Sequence, residues 1–355
     1  MNKLPVIGIS QGDPNGVGIE VVLKTLQHDF ILENCVPVLY ANPKSINFYT
    51  KLLNIENFNY NLINSIKEAK PNKINLIASS QEPFEINAGN ADEKAGKEAF
   101  MAVKAMLEDA KKGNLDAMVT APLDKSTVKT DNVFTGHTGF ISSYLGVQNS
   151  LMVLYNDDIK VGLVTEHIAV SKIAAAINKE AIVAKLKTAN DCLKTDFGIT
   201  KPKIAVLGLN PHNGDNGAMG NEEKDIIIPA IESCNNQGIF CFGPYSADGF
   251  FGMQHYNNFD MVIAMYHDQG LIPFKSMAFE DGVNYTAGLP VIRTSPDHGT
   301  AYDIAGKNIA SNLSFTNALF EAIKIYHQRN ETQVLFSNPL KFSEMKRERF
   351  RLEKG

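Results

Sequence analysis

The chain has 355 residues, of which 44% are hydrophobic and 21% are charged, a composition typical of a globular enzyme large enough for two α/β lobes. Its formal net charge of -5 argues against nucleic acid or an anionic membrane as a partner. The first residues lack the apolar core of a signal peptide, and no apolar run is long enough to span a membrane. The four cysteines show no CxxC spacing, which favours a reducing compartment. We therefore expect a cytoplasmic protein.

Short apolar runs rich in β-branched residues alternate with helix-like segments along almost the whole chain. The predicted strands are Pro5–Ser10, Val36–Tyr40, Ile74–Ala78, Asp116–Thr120, Leu151–Tyr155, Lys160–Val164, Lys203–Gly208, Met261–Met265 and Pro290–Arg293. The predicted helices are Gly18–His28, Lys94–Lys112, Lys179–Thr195, Asn221–Asn236 and Thr316–His327. This alternation predicts an α/β fold with mostly parallel sheets covered by helices. Because no repeat or linker marks a boundary, we expect two lobes within one continuous unit.

Three of the eight histidines share one context. His167, His212 and His267 each follow a predicted strand, at the edge where open α/β sheets bind ligands. Their wide separations exclude a zinc finger or an HExxH helix, so the fold would have to assemble any common site. Three neutral imidazoles suit a divalent ion with open positions. For each histidine alone, a role as a capping or core residue remains the alternative.

Two polar segments around these histidines support a ligand site. The first, Asn210–Gly217, is dense in Gly, Asn and Asp, as expected of a loop near a ligand. The second, Tyr266–Gly270, places four polar side chains directly after an apolar run. A purely structural turn seldom needs that many polar groups.

Positive and polar groups elsewhere in the chain could bind an anion. His137 and Thr138 lie at the predicted start of a helix, where backbone N–H groups favour anions, although Thr138 could equally be a simple N-cap. Lys275, Asn284 and Arg293 follow His267 and could supply charge and hydrogen bonds. As the alternative, Lys and Arg are usually solvated surface groups.

The turn Gly12–Glu20 lies between the first strand and the first helix. Its glycines permit a tight turn and close approach of the backbone to a ligand. It does not have the GxGxxG pattern, so a Rossmann dinucleotide site is excluded there.

Seven motifs follow one another along the chain: GDPNGVGIE (12–20), TAPLDK (120–125), GHTGF (136–140), GLNPHNGDNG (208–217), GPYSADGFF (243–251), AMYHDQG (264–270) and GLPVIRTSPDHGTAYDIAGK (288–307). Together and in this order, they resemble the family of 4-hydroxythreonine-4-phosphate dehydrogenases, enzymes of pyridoxal phosphate synthesis. The first and last also resemble the two-lobed isocitrate and isopropylmalate dehydrogenase fold, in which the HGTAYDIAGK loop cradles the adenosine end of the cofactor. The chain departs from the family pattern at Asn15, Ile19, Asp124, Gly139 and in 277–281.

The resemblance implies a set of roles for residues of this chain. It implies one divalent ion per subunit (zinc, magnesium or cobalt), NAD or NADP, and a homodimer with the active site at its interface. Implied metal ligands are His167, His212 and His267, implied substrate contacts are His137, Thr138, Lys275, Asn284 and Arg293, and implied cofactor contacts are Gly299, Thr300 and Asp303. For the reaction itself, our candidates for the base or its relay are Lys275 and Asp248.

The implied reaction is oxidation of 4-phosphohydroxy-L-threonine to 2-amino-3-oxo-4-(phosphooxy)butanoate, which loses carbon dioxide to give 3-amino-2-oxopropyl phosphate. A phosphorylated threonate or erythronate is the alternative substrate. A metal-dependent lyase or aldolase acting on a phosphorylated sugar, and a binding protein or phosphate acyltransferase, are the alternatives from other classes.

Overall fold

The computed structural model describes residues 3–129, 134 and 136–337, which form twelve strands in one sheet. The strands are β1 (Val6–Ser10), β2 (Val36–Ala41), β3 (Tyr60–Ile63), β4 (Ile74–Ala78), β5 (Ala117–Thr120), β6 (Leu151–Tyr155), β7 (Lys160–Leu163), β8 (Lys203–Leu207), β9 (Phe240–Tyr245), β10 (Met261–Ala264), β11 (Val283–Ala287) and β12 (Ile292–Pro296).

Eleven α-helices are present among the same residues. They are α1 (Gly18–Leu26), α2 (Asp29–Asn34), α3 (Pro43–Leu52), α4 (Glu93–Lys111), α5 (His137–Tyr144), α6 (Ile173–Ala176), α7 (Lys179–Thr195), α8 (Ile228–Asn235), α9 (Ala247–Gly252), α10 (His267–Met277) and α11 (Leu313–Ser337). None of these helices is both long and apolar enough to span a membrane.

The strand order is β3-β4-β2-β1-β5-β12-β11-β6-β7-β10-β8-β9. All pairings are parallel except those of β11 with β12, β11 with β6, and β6 with β7. The predicted α/β fold with a mostly parallel sheet is therefore confirmed. The strands that carry the three histidine loops, β7, β10 and β8, are direct neighbours, so their carboxyl ends meet at one edge.

Both faces of the sheet are covered by apolar packing. In β2, Leu39 and Ala41 belong to one buried cluster, while Val38 and Tyr40 belong to another on the opposite face. Successive side chains of a strand point to opposite faces, so a strand buried on both sides is apolar throughout. This explains why the sequence shows continuous apolar runs rather than alternation.

Several predicted bounds were wrong. The last strand runs over Ile292–Pro296 instead of Pro290–Arg293, and the predicted helix Asn221–Asn236 is a π-helical segment, Glu223–Ile227, followed by α8. Tyr266–Gly270 was expected as a polar turn, but α10 begins at His267. The polar residues there form the first turn of a helix, which places the His267 ring at the sheet edge.

Candidate functional site

A cavity of about 590 Å³ opens at the carboxyl end of β5 and β7, near the middle of the sheet. It is lined by Thr120, Pro122, Leu123, Lys125, Phe134, Gly136, His137, Thr138, Gly139, Met152, Glu166, His167, Asn284, Arg293, Ser295, Pro296, His298 and Gly299. Four of the five predicted substrate contacts, His137, Thr138, Asn284 and Arg293, line this cavity, and they come from α5, β11 and β12.

Arg293 on β12 lies at the base of the cavity and is only 2% exposed. It donates hydrogen bonds to Thr120 Oγ1 on β5 (2.7 Å) and to Thr286 Oγ1 on β11 (3.1 Å), so both neighbouring strands fix its guanidinium. It forms no ion pair with a carboxylate of the described residues. Burial lowers the pKa of Arg293 to about 10, which still leaves it protonated at neutral pH. A buried cation without an anionic partner is costly, so this arrangement indicates a site for an anionic ligand.

Several buried polar atoms of the cavity residues have no hydrogen-bond partner. His137 Nε2, Asn284 Oδ1, Arg293 Nε and His298 Nε2 are all buried and have no hydrogen-bond partner among the described residues. All four residues line the cavity. Buried polar groups normally have hydrogen-bond partners. Four atoms without partners in one cavity therefore indicate that a ligand completes their hydrogen bonds.

His137 is the first residue of α5, and Gly136, with φ of 114°, is its N-cap. The alternative in which Thr138 is the N-cap is therefore wrong, because Thr138 lies inside the first turn. Thr135, which belongs to the same predicted segment, lies outside the described residues. The amide groups of the first turn of α5 have no partners within the helix and are available to an anion beside Arg293.

Burial, and then the charge of Arg293, lower the pKa of His137 from 6.5 to about 3. We expect this imidazole to stay neutral between about pH 5 and pH 8, where an ordinary histidine titrates. Its NMR signals, identified by their loss in His137→Gln, should not shift over this range. A midpoint near 6.5 for His137 would contradict the buried environment described here.

The proposed metal ligands are only partly brought together. The rings of His167 and His267 lie 5.4 Å apart between centroids, after the neighbouring strands β7 and β10. Burial is the main cause of a lowered pKa of His167, which favours the neutral imidazole that metals bind. Two of the three predicted ligands therefore form a pair within one chain.

His212 follows β8 but lies in a loop whose residues 212–216 all have positive φ. Asn, Asp and Gly tolerate this left-handed backbone best, which explains the composition of the loop. Glu223, which is buried, anchors the loop by accepting the N–H groups of Leu209 and Asn210 at 2.7 Å. Within the described part of the chain, no group of three or more His, Cys, Asp or Glu side chains is placed to hold a metal. His212 is thus not close enough to the other two to complete a site in one chain.

The two candidate bases lie outside the lining of the cavity. Lys275 on α10 has its Nζ 3.5 Å from the carboxylate of Asp297, which follows the cavity residue Pro296. Asp248 is exposed and accepts a hydrogen bond from Ser246 Oγ at 2.7 Å. The charge of His212 contributes to lowering the pKa of Asp248, after the hydrogen bonds from Ser246 and Gly249. Lys275 is therefore next to the cavity, and Asp248 is near the His212 loop.

The predicted cofactor loop packs on the turn Gly12–Glu20. Thr300 accepts the Val17 N–H at 2.9 Å, and Tyr302 donates to Asp13 Oδ2 at 2.8 Å. Glu20, fully buried in α1, accepts the N–H groups of Gly306 and Ala310. Gly299 lines the cavity, whereas Thr300 and Asp303 do not.

Two residues of the cavity wall were not predicted as site residues. His298 directly precedes the predicted cofactor residue Gly299, and its unpartnered Nε2 faces the same space as Arg293. Glu166 directly precedes His167 and contributes the one carboxylate among the described lining residues. In the sequence, their positions next to the predicted site residues Gly299 and His167 could have indicated that they belong to the site.

The sequence matches the family described as pyridoxal phosphate biosynthetic protein PdxA over residues 33–322. A 4-hydroxythreonine-4-phosphate dehydrogenase from Bacteroides thetaiotaomicron is 48% identical, over 94% of this chain and 92% of the relative. A relative from Oceanobacillus iheyensis, provisionally named a D-threonate 4-phosphate dehydrogenase, is 37% identical over 92% of this chain and 99% of its own length.

Among solved structures, the 4-hydroxythreonine-4-phosphate dehydrogenase from Klebsiella pneumoniae matches with a TM-score of 0.78 and 34% identity, covering 91% of this chain and 99% of that one. The match extends over both halves of the sheet, and the family resemblance predicted from the motifs is confirmed. The chain belongs to the PdxA family of pyridoxal phosphate biosynthetic proteins.

Proposed function

We propose that this protein is a cytoplasmic 4-hydroxythreonine-4-phosphate dehydrogenase that uses a divalent metal and NAD or NADP. The observation that carries the proposal is the buried, unpaired Arg293 in a cavity with four unpartnered polar atoms. Such a site suits a small substrate with more than one anionic group. The buried free cysteines agree with a reducing compartment.

The anionic groups of the substrate would be bound by Arg293 and the start of α5. Arg293 would donate through its free Nε, and Thr138 through its hydroxyl and the backbone of the first helical turn. His137 is neutral and can donate one hydrogen bond without adding charge, while Asn284 would fix the orientation of the ligand. These groups hold the substrate so that its secondary hydroxyl faces the histidines.

We assign the metal to His167 and His267 of one chain, with His212 supplied by the partner subunit of a homodimer. The neutral His167 and its closeness to His267 fit a divalent ion, and the pair alone leaves the site incomplete. An ion bound there would supply Lewis acidity to the substrate hydroxyl and to the ketone formed from it. Lys275 is our candidate to take the hydroxyl proton, with Asp248 near His212 as its relay.

A nicotinamide cofactor would bind along the cleft between two lobes, against Gly299, Thr300 and Asp303. A nicotinamide bound there would supply the acceptor for the hydride of the substrate carbon. The protein holds the loop in place through the Val17–Thr300 hydrogen bond and through Glu20. The keto acid then loses carbon dioxide to give 3-amino-2-oxopropyl phosphate.

Gly16→Ala tests the cofactor assignment. An added Cβ at Gly16 would lie 2.8 Å from Thr300 O and 3.0 Å from Thr300 Cβ, so the cofactor loop must shift. We expect KM for the dinucleotide to rise by about tenfold or more, with a smaller change in KM for the substrate. Gly252→Ala is the control, because no atom lies within 4 Å of its Cβ position. Equal kinetics for Gly16→Ala and wild type would place the cofactor elsewhere.

The function itself is tested by offering the protein three substrates with NAD or NADP and a divalent metal. We expect reduced nicotinamide from 4-hydroxythreonine-4-phosphate, and a chelator should abolish it. A faster reaction with D-threonate or D-erythronate 4-phosphate would favour the second candidate, which the relative from Oceanobacillus iheyensis suggests. If none of the three reduces the nicotinamide, the proposed activity is wrong.

A further inference from the structure

Residues 79–92 connect β4 to α4 and contain no helix or strand of their own. Connections of more than about 12 residues without secondary structure are uncommon in compact domains, and many of them bind a ligand or cover a site. This segment, which we name the strap, starts at the carboxyl end of β4. Because β4, β2 and β1 are parallel, that end lies at the edge of the sheet where ligands bind. The length and position of the strap therefore indicate a role in ligand binding.

Two side chains at the end of β2 hold the first half of the strap. Asn42 Nδ2 donates a hydrogen bond to Glu82 O at 3.3 Å, and Lys44 Nζ donates one to Phe84 O at 2.7 Å. The Phe84 side chain is itself buried. Because both hydrogen bonds are accepted by backbone carbonyls, they fix the path of the chain and leave the side chains beyond Phe84 free to act elsewhere.

Asn15 holds the tip of the strap, residues 87–90. Its Oδ1 accepts the Asn87 N–H at 2.8 Å, and its Nδ2 donates to Asn90 O at 2.9 Å. Its backbone carbonyl also accepts the Gly89 N–H at 2.8 Å. Asn15 is fully buried, so its amide depends on these partners for its hydrogen bonds. It is also one of the positions where the chain departs from the family pattern, so the resemblance does not predict this link.

The tip of the strap packs against the loop that is predicted to bind the cofactor. A Cβ added to Gly89 would lie 3.2 Å from Tyr302 O, and one added to Gly306 would lie 3.2 Å from Ala88 Cβ. The tip therefore contacts the loop before and after the exposed Asp303. A carboxylate is a suitable acceptor for the ribose hydroxyl groups of a dinucleotide. A dinucleotide bound to Asp303 would thus have the tip of the strap beside it.

We propose that Asn15 is a positioning residue for the dinucleotide, because it keeps the tip of the strap closed against the cofactor loop. The inference rests on the proposed function and adds the strap as a second wall of the dinucleotide site. Without the Asn15 amide, the tip loses two of the hydrogen bonds described above and is closed for a smaller fraction of the time. The apparent affinity for the dinucleotide falls with that fraction. The described lining of the Arg293 cavity contains no residue of the strap, so substrate binding should not change.

The test compares Asn15→Ala with wild type in the affinity for NADH and NADPH, measured by the fluorescence of the reduced nicotinamide. We expect the Kd to rise about five- to twentyfold, with KM for the substrate close to wild type. Amide hydrogen exchange gives a second readout that does not depend on activity. Exchange at Asn87 should be faster in Asn15→Ala than in wild type, and bound NADH should slow exchange at Asn87 and Gly89 in wild type.

Asn75→Ala is the matched control. Asn75 on β4 is also fully buried, and its Nδ2 donates to Lys70 O and Lys73 O, both at 3.0 Å. These partners precede β4 and therefore lie at the opposite edge of the sheet from the strap. Asn75→Ala also removes hydrogen bonds that hold a loop, so it should lose stability and still bind the dinucleotide with the wild-type Kd.

The outcomes separate this inference from the proposed function. An unchanged Kd in Asn15→Ala, or an equal rise in both variants, would overturn the inference, because Asn15 would then act only on stability. NADH that binds to wild type without slowing exchange at the tip would also overturn it, since the strap would not border the dinucleotide. If wild type binds neither NADH nor NADPH, the proposed function is wrong and the inference is wrong with it.

Discussion

Replacing Arg293 with methionine should lower kcat/KM by about two to three orders of magnitude while leaving the free energy of unfolding unchanged or higher. The loss follows because an anionic group of the substrate would face an apolar side chain in place of a fixed guanidinium. Stability should be retained because the buried cation has no carboxylate partner among the described residues, and an apolar side chain of similar length removes its desolvation cost. The measurements are steady-state kinetics and denaturant unfolding.

Arg329 provides the matched control for this prediction, because it is the second arginine held in a largely buried network. It donates through Nε to Asp196 at 2.5 Å, and Asp196 also accepts a hydrogen bond from the buried Tyr285 hydroxyl. Arg329→Met leaves Asp196 buried without its cation and should lower the free energy of unfolding by about 3 kcal/mol. Kinetics at a temperature where this variant remains folded should be close to wild type. If Arg293→Met instead lost stability and kept its kinetics, while Arg329→Met lost activity and kept its stability, the assignment of Arg293 to ligand binding would be contradicted.

The second large effect concerns the histidines. His167→Ala, His212→Ala and His267→Ala should each lose most of the bound divalent metal and lower kcat by about three orders of magnitude or more, with the fold retained. The fold should survive because these side chains are partly or largely exposed. Elemental analysis and circular dichroism of the purified variants measure the two properties. Full metal occupancy in any variant would remove that histidine from the site.

Mixing inactive variants shows which histidine crosses between subunits. His167 and His267 lie together in one chain, so a mixture of His167→Ala and His267→Ala should stay inactive. A mixture of His212→Ala with either of them should recover about a quarter of wild-type activity, because half of the dimers are mixed and each has one intact site. Recovery in the first mixture would place His167 and His267 on opposite chains. Failure of every mixture would place the whole site in one subunit.

Much of the sheet could be predicted because a strand buried on both faces is a short, continuous apolar run. In two of the elements that were missed, β9 and α10, another signal hides the pattern. β9 contains Gly243 and Pro244, and this pair in a sequence usually indicates the end of a strand. However, β9 is an edge strand, where proline is tolerated. α10 contains Pro273, and its polar first turn resembles a loop.

The candidate site could be predicted only as separate parts. The rule that ligands bind at strand ends selected the three histidines, and it also explains their closeness to one sheet edge. It could not show that β11 runs antiparallel to β12, which places Asn284 opposite Ser295 at the cavity. It could not show that the His212 loop turns away in a left-handed conformation either, because that depends on its contacts with Glu223. Glu166 was missed because a single carboxylate beside a histidine is unremarkable until the cavity around it is known.

The most direct test of the proposed reaction is the stoichiometry of its products. Purified, metal-loaded protein is given 4-hydroxythreonine-4-phosphate and NAD or NADP, and both reduced nicotinamide and carbon dioxide are measured, with Arg293→Met as the inactive control. We predict equal amounts of the two products from wild type and neither above background from the control. Carbon dioxide without reduced nicotinamide would indicate a lyase, and the absence of both would contradict the assignment of this cavity as a dehydrogenase site.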